Sequence, residues 1–490
     1  MSHGADVLSS PEAGAKVIRS SVIRASGNVA GILIGIGTAT LLLHHLGVRE
    51  SGRYVTVMSL VAIAGTIADA GLNLTGSRDL ALRDPGERRV LVANFLGLRL
   101  AFAPIALALL VAFALVAGYP ARMVAGTALG GTGYFIIATA DVGLLPLMVE
   151  LRSGGLAIVD LLRQVITLAG VALLVALGAH LTPFFAIQIV VGLAVAATVP
   201  MLAGRRAFPR PRFDRAEQRR LLTKGLPVAV ASVLAQLYVR LVIVLMSLIS
   251  SARQTGYFGA ALRAMDSLVG LPGLVAAVAL PLLAAAARED PVRLRYAIRG
   301  LNQGAVIAGV LIVIVSVRAA EPVMALIGGP SFRPTGAVLR IEVGSLLFIS
   351  LYSIWAIALI ALGREWDLIL ANVLGLVAVA IAAAALVPAF AALGGAAAAV
   401  GGDAVLAALI YWRLRLAAGR IALPRAFLAR VLAAAAASSL VLVLPGLPDL
   451  LAAALAGFVF LAVGLLIGMV PAEVRTALHA RGLFKARRSR

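Results

Sequence analysis

The chain contains no cysteine, which excludes both a disulfide framework and a thiolate metal site. Charge is scarce as well: Asp, Glu, Lys and Arg make up 13% of the 490 residues, against about 25% in soluble domains. Acids are the rarer sign, 22 against 43 bases, for a net charge of +21. Lysine occurs only at Lys16, Lys224 and Lys485. None of these follows the glycine pattern of a phosphate-binding Walker loop, so ATP hydrolysis by this chain is not expected. No interior loop exceeds about 20 residues, too short for an extramembrane catalytic domain. A membrane glycosyltransferase or polymerase would need carboxylate pairs or histidines in such a domain, so the chain is not expected to be an enzyme, and no cofactor or metal is implied.

What abounds is apolar sequence. Hydrophobic residues reach 61% and mean hydropathy is +1.02. Runs of about 20 apolar residues recur along the chain, each able to cross a hydrocarbon core of about 30 Å. They are continuous Ala, Leu, Val, Ile and Gly rather than the alternation of a barrel strand, so the spans are helices. The fold class is therefore all-α polytopic membrane protein, with about fourteen spans. They fall near 29–46, 54–72, 91–118, 123–148, 155–178, 181–203, 225–249, 257–286, 300–317, 337–362, 368–388, 391–412, 427–445 and 449–470. Tyr119-Pro120 and the Pro388 to Gly395 stretch make the finest divisions; merging spans across them leaves about twelve or thirteen. Residues 1–28 are polar and no small-residue cleavage site follows the first run, so the first helix itself is expected to direct insertion.

With the amino terminus inside, most of the Lys and Arg fall in cytoplasmic segments. The richest are Arg78 to Arg89, Arg205 to Lys224, Arg288 to Arg299, Arg413 to Arg430 and the tail from Arg475 to Arg490. That asymmetry puts both termini in the cytoplasm. It also explains the net charge by topology and by anionic inner-leaflet lipids, with no nucleic acid as partner. The end Lys485 to Arg490 reads as a solvated anchor at lipid headgroups.

The polar stretch from Arg205 to Leu222, with Pro209 and Pro211, reads as a divider. On either side a short pattern recurs: Leu46-Gly47-Val48-Arg49-Glu50-Ser51-Gly52-Arg53-Tyr54 after the first span, and Ser250-Ser251-Ala252-Arg253-Gln254-Thr255-Gly256-Tyr257-Phe258 after the seventh. Both are external turns entering an even-numbered span through Gly and an aromatic. A repeat of about 200 residues marks a transporter of two similar lobes. The expected division is an N-terminal lobe over 1–204 (spans 1–6), a cytoplasmic linker over 205–224, a C-terminal lobe over 225–412 (spans 7–12), and an added helix pair with basic tail over 413–490.

Leu46-Gly47, Gly52, Tyr54, Asp69, Gly71-Leu72 and Arg78 resemble the second-helix region of polysaccharide and O-antigen (Wzx-type) flippases of the multidrug/oligosaccharidyl-lipid/polysaccharide (MOP) exporter superfamily. Those proteins read LG, a spacer, FG-x-Y, an apolar run, a D-x-G-L turn and a basic loop; here Ser51 replaces the aromatic. Gly225-Leu226-Pro227, Gly256-Tyr257, Ala260 to Arg263 and Leu271-Pro272 match the seventh and eighth helices, while Val239-Arg240 stands where many members have an Asp. The resemblance implies two pseudo-symmetric six-helix lobes around a central cavity plus a C-terminal helix pair. It also implies export of a lipid-linked, undecaprenyl-diphosphate oligosaccharide across the bacterial cytoplasmic membrane, with membrane lipids and polysaccharide polymerase or assembly proteins as partners.

A diphosphate headgroup suits guanidinium forks, which stay charged when partly buried. An arginine inside a span is a functional candidate by default, and five qualify: Arg240, Arg99, Arg263, Arg163 and Arg340. Asp160 and Arg163, and Arg263 and Asp266, lie three apart and can neutralise each other along one helix, whereas Arg240 and Arg99 have no such neighbour. The other reading is pairing across helices or snorkelling to an interface. Asp69, Asp141, Asp160 and Asp266 are the candidate proton or sodium couplers, Asp69 doubling as a turn-capping residue. His44-His45 reads as an interface pair rather than a metal site or pH sensor, and Gly31, Gly35 and Gly37 as a packing face. Asn73-Leu74-Thr75 fits a glycosylation acceptor but falls inside the cell. Gln236, Asn302, Gln303 and Asn372 either bind sugar hydroxyls or bridge helices. A multidrug and toxin efflux antiporter of the same superfamily is the alternative, although it predicts an acidic or aromatic cavity, and aromatics are 6%. A non-transporting scaffold for saccharide assembly is a third reading.

Overall fold

The computed structural model describes residues 11–69, 71, 76, 79–80, 82–149, 153–204, 209–289 and 291–469, with the backbone alone at 11–29, 85, 153, 270–282, 284–289 and 291. Asn73 to Thr75, Arg78 and the tail from Arg475 lie outside the described residues. The helices are α1 (Pro11–Asp69), α2 (Pro85–Val116), α3 (Ala121–Val142), α4 (Leu145–Val149), α5 (Ser153–Ala176), α6 (Leu181–Ala203), α7 (Arg215–Ile249), α8 (Ala252–Glu289), α9 (Pro291–Gly328), α10 (Thr335–Glu342), α11 (Gly344–Ala361), α12 (Glu365–Ala418), α13 (Arg425–Val443) and α14 (Asp449–Leu466). Eleven stretches of them are long and apolar enough to cross a membrane. The protein is thus an all-α polytopic membrane protein.

Two of these stretches hide a break. α1 is interrupted at Gly47 (φ 65°, ψ 179°), a conformation glycine adopts without steric cost. The external turn expected over residues 47–53 is therefore a break of one residue. α12 is interrupted at Ala391 (φ 51°), where a side chain at positive φ costs about 1–2 kcal/mol that packing must offset. Pro388, three residues earlier, weakens the helix where it bends.

The chain divides into two compact units, Met1–Gly259 and Ala260–Arg490. The outer surface is inverted relative to a soluble protein: Leu33, Val116, Phe458 and Leu466 are exposed, while Arg99, Asp367, Asp403 and Glu342 are buried. Lipid replaces water outside, so exposed apolar side chains carry no solvation penalty, and polar groups must find partners within.

In the first unit α3 crosses α6 at very close range. A β-carbon on Gly133 would strike the backbone of Gln188 and Ile189, and one on Gly192 would strike Ile136 and the Gly133 carbonyl. Gly126 lies under the Phe185 ring, so small residues set this crossing. Gly133→Leu should cost more than the about 1–3 kcal/mol of ordinary overpacking, because backbone rather than a side chain must move. Thermal unfolding in detergent would show the loss. Of Gly31, Gly35 and Gly37, Gly31 alone faces a neighbour among the described residues, Gln164, so the packing face expected there is a single contact.

α7 begins at Arg215, inside the segment read as a linker. Asp214 caps it, its carboxylate accepting from the Ala216 and Glu217 amides at 3.0 and 3.3 Å. The preceding extended chain is seated on α2. Arg212 N donates to Ala93 O at 3.0 Å, Asp214 N donates to Asn94 Oδ1 at 3.2 Å, and Gly97 leaves room for the Arg212 carbonyl. In the second unit α13 and α14 pack on α9 through Val306, Ile314, Phe427, Val431, Ala456 and Phe460. Arg318 pins their connection, donating to Asp449 Oδ1 at 2.6 Å and to the Leu442 carbonyl at 3.0 Å.

Candidate functional site

Four of the nine candidate residues come together in the first unit as two ion pairs. Arg99 on α2 donates through Nη2 to Asp69 Oδ1, at the end of α1, at 2.5 Å. Arg163 on α5 pairs with Asp141 on α3, not with Asp160, which is exposed on its own helix. Tyr134 lies within electrostatic range of all four groups, its ring pressed over α1 where a side chain at Gly65 would collide with it. Arg99 is 1% exposed, and its Nε and Nη1 have no hydrogen-bond partner. An ion pair this deep is held by its geometry, since desolvating a guanidinium costs several kcal/mol that only a close carboxylate offsets.

Arg240 is half-buried on α7, Arg263 half-buried and Asp266 exposed on α8. Arg340 Nη2 lies 3.6 Å from Glu321 Oε2 on α9. Of the two histidines, His44 bonds to Thr40 O within its helix and His45 donates to the Ala179 carbonyl at 2.7 Å, so the rings serve separate structural contacts. Asn302 accepts from Trp355 Nε1 at 3.0 Å and so bridges α9 and α11; Asn372 bonds to Leu368 O on its own helix.

Several groups escaped the reading of single helices. Asp367 at the start of α12 takes Arg364 Nε at 2.6 Å and Arg413 Nε at 2.9 Å, closing α12 back on itself. Glu342 and Asp403 are buried acids in the second unit; both sit inside apolar runs, which was the available signal. On the polar side of the first unit, Glu217 accepts from Arg83 and Arg220 at 2.7 Å each, and Arg220 and Lys224 reach Asp79 at 3.4 and 3.8 Å. Burial raises the Glu217 carboxyl, but the hydrogen bonds and charges of Arg220 and Arg83 outweigh it and hold the group below its ordinary value.

Charge pairs held among lipid-facing helices mark a polytopic membrane protein. Residues 45–337 match the family model described as polysaccharide biosynthesis protein, and the chain belongs to that family. No curated protein sequence matches it. Among solved structures, a lipid II flippase MurJ in an inward closed conformation aligns with TM-score 0.72 and 11% identity over 95% of this chain and all of that one. An inward-facing multidrug resistance MATE family transporter of the MOP superfamily aligns at 0.59 and 15% identity, over 81% of this chain and 98% of the other. A MOP superfamily transporter from Pyrococcus furiosus, described as having a binding pocket of reverse polarity, aligns at 0.52 and 15% identity over 82% and 93%. The chain shares its fold with these structures.

Proposed function

We propose that the protein is an alternating-access flippase that carries an anionic, undecaprenyl-diphosphate-linked oligosaccharide across the bacterial cytoplasmic membrane for surface polysaccharide assembly. The family match over residues 45–337 carries this reading, and the likeness in fold to a lipid II flippase supports it. Taking the halves of α1 and α12 separately and adding α8 gives the fourteen spans, with both termini cytoplasmic. The lobes are 1–204 and 225–412, joined by 205–224, and 413–490 is the added pair and tail. Membrane lipids and polysaccharide polymerase or assembly proteins are its partners.

Arg240 is the leading headgroup contact. Arg99 and Arg163 each already hold a carboxylate, so their role toward a headgroup requires exchange of partner, and Arg263 and Arg340 rank with them. Asp69, Asp141, Asp160 and Asp266 are the coupling candidates from the sequence, and the two held by arginines change charge only if those pairs open. The test is flipping of a fluorescent lipid-diphosphate-linked sugar in proteoliposomes. Arg240→Ala should lower the rate at least about tenfold, the equivalent of losing about 1.4 kcal/mol from one charge-assisted contact. Flipping unchanged by Arg240→Ala would remove that residue from the site. The likeness to MATE transporters favours drug/cation antiport as the second reading; efflux of cationic dyes with no flipping would select it.

A further inference from the structure

Glu342 closes α10, the short helix that meets α11 at Val343. Its side chain is 3% exposed, its Oε2 has no hydrogen-bond partner, and it forms no ion pair with any described residue. The one arginine of its helix, Arg340, turns to Glu321 on α9. Two hydroxyls share its stripe: Thr335, two helical turns earlier, and Ser345, about one turn later. Both are buried with an unbonded Oγ. Asp403 on α12 and Asp266 on α8 are its charged neighbours. Tyr352 on α11 stands near Asp403, and Arg263 precedes Asp266 by one turn.

An ionised carboxylate in that position is untenable. Removing a charge from water costs several kcal/mol even after relaxation, and here no cation among the described residues pairs with Glu342, while Asp266 and Asp403 add negative charge within electrostatic range. Buried ionisable groups within membrane spans mark ion or proton pathways. The Thr335 and Ser345 hydroxyls make no hydrogen bond to Glu342, and a hydroxyl does not neutralise a carboxylate.

We infer that Glu342 carries the proton that couples transport: its Oε2 is protonated in the buried position described and loses that proton when a conformational change lets water in. The cycle balances simply. One proton from water on one side of the membrane forms the Oε2–H bond, and that bond breaks to return the proton to water on the other side. The inference rests on the transporter reading, and places coupling in the second unit rather than at Asp69 and Asp141, whose charges arginines compensate.

Two measurements on the full chain test it. Infrared spectroscopy of the reconstituted protein at neutral pH should show a protonated-carboxyl stretch that shifts in D2O and disappears in the near-isosteric Glu342→Gln. In the flipping assay a gradient of about one pH unit, worth roughly tenfold for one proton, should drive wild type. Glu342→Gln should still equilibrate substrate but ignore the gradient, and Glu342→Asp should regain the response. A carboxyl band unchanged in Glu342→Gln, or a gradient response equal to wild type in that variant, overturns the inference. If wild type flips no lipid-linked sugar but the band is present and lost in Glu342→Gln, the substrate reading fails and the proton site stands.

Discussion

Asp69→Ala should destabilise the protein by about 3–5 kcal/mol, because it strands a buried guanidinium. Arg99 has Asp69 as its one ion-pair partner among the described residues, and two of its nitrogens already lack an acceptor. An arginine has no neutral form to retreat to. Phe95, Leu96 and Leu98 crowd α2 beside it and close off snorkelling. Replacing both partners, as in Asp69→Ala with Arg99→Met, should recover most of the loss, since a buried pair exchanged for apolar side chains is often neutral. Thermal unfolding in detergent of the two singles and the double reads out the coupling. If Asp69→Ala melts like wild type, Arg99 has moved to Asp141, the next carboxylate within its electrostatic reach, and the two pairs form one exchangeable network.

The polytopic class was legible, with eleven apolar stretches among the described residues against about fourteen expected, because the signal is local: an apolar run of sufficient length has one physical outcome in a bilayer. Even the Pro388 to Gly395 division surfaced, as a break at Ala391 inside a helix that otherwise runs from Glu365 to Ala418. The charged partners were not legible in the same way. Spacing along a helix pointed Arg163 to Asp160, but an interhelical carboxylate, Asp141, holds it, and helix rotation is not written in spacing. Arg99 has no acid within a turn, and its partner lies on α1. Weighing arginines first, for a diphosphate, drew attention to Arg340 and past Glu342 on the same short helix. The seat of Arg212 on α2 is made by backbone groups, which no side-chain pattern announces.

Gly52→Leu or Gly256→Leu should abolish tight closure of the end of the bundle assigned to the outer face, and transport with it. The two glycines hold corresponding places in the repeated pattern, and they meet. A β-carbon on Gly52 would lie against the Ala252 carbonyl oxygen, and one on Gly256 against the Val48 carbonyl oxygen. Each glycine thus receives the carbonyl four residues before the other, a reciprocal contact of the kind a pseudo-two-fold axis generates. Nearby, Tyr119 and Ser247 share a hydrogen bond of 2.6 Å, and Arg53, Thr56 and Thr255 line the same recess. A leucine at either glycine must displace backbone, so the helices separate there instead of adapting a side chain. The absence of native cysteine makes the readout clean. Thr56→Cys, at a position 1% exposed, should react with a membrane-impermeant maleimide slowly in the otherwise native chain. With Gly256→Leu added, labelling from the outer side should be at least about tenfold faster, corresponding to a shift of roughly 1.4 kcal/mol in the closing equilibrium. Gly256→Ala should fall between the two, as its smaller bulk demands. Labelling that stays slow in both variants would mean that the crossing yields without opening, and that closure at this end depends on Tyr119 and Ser247 instead.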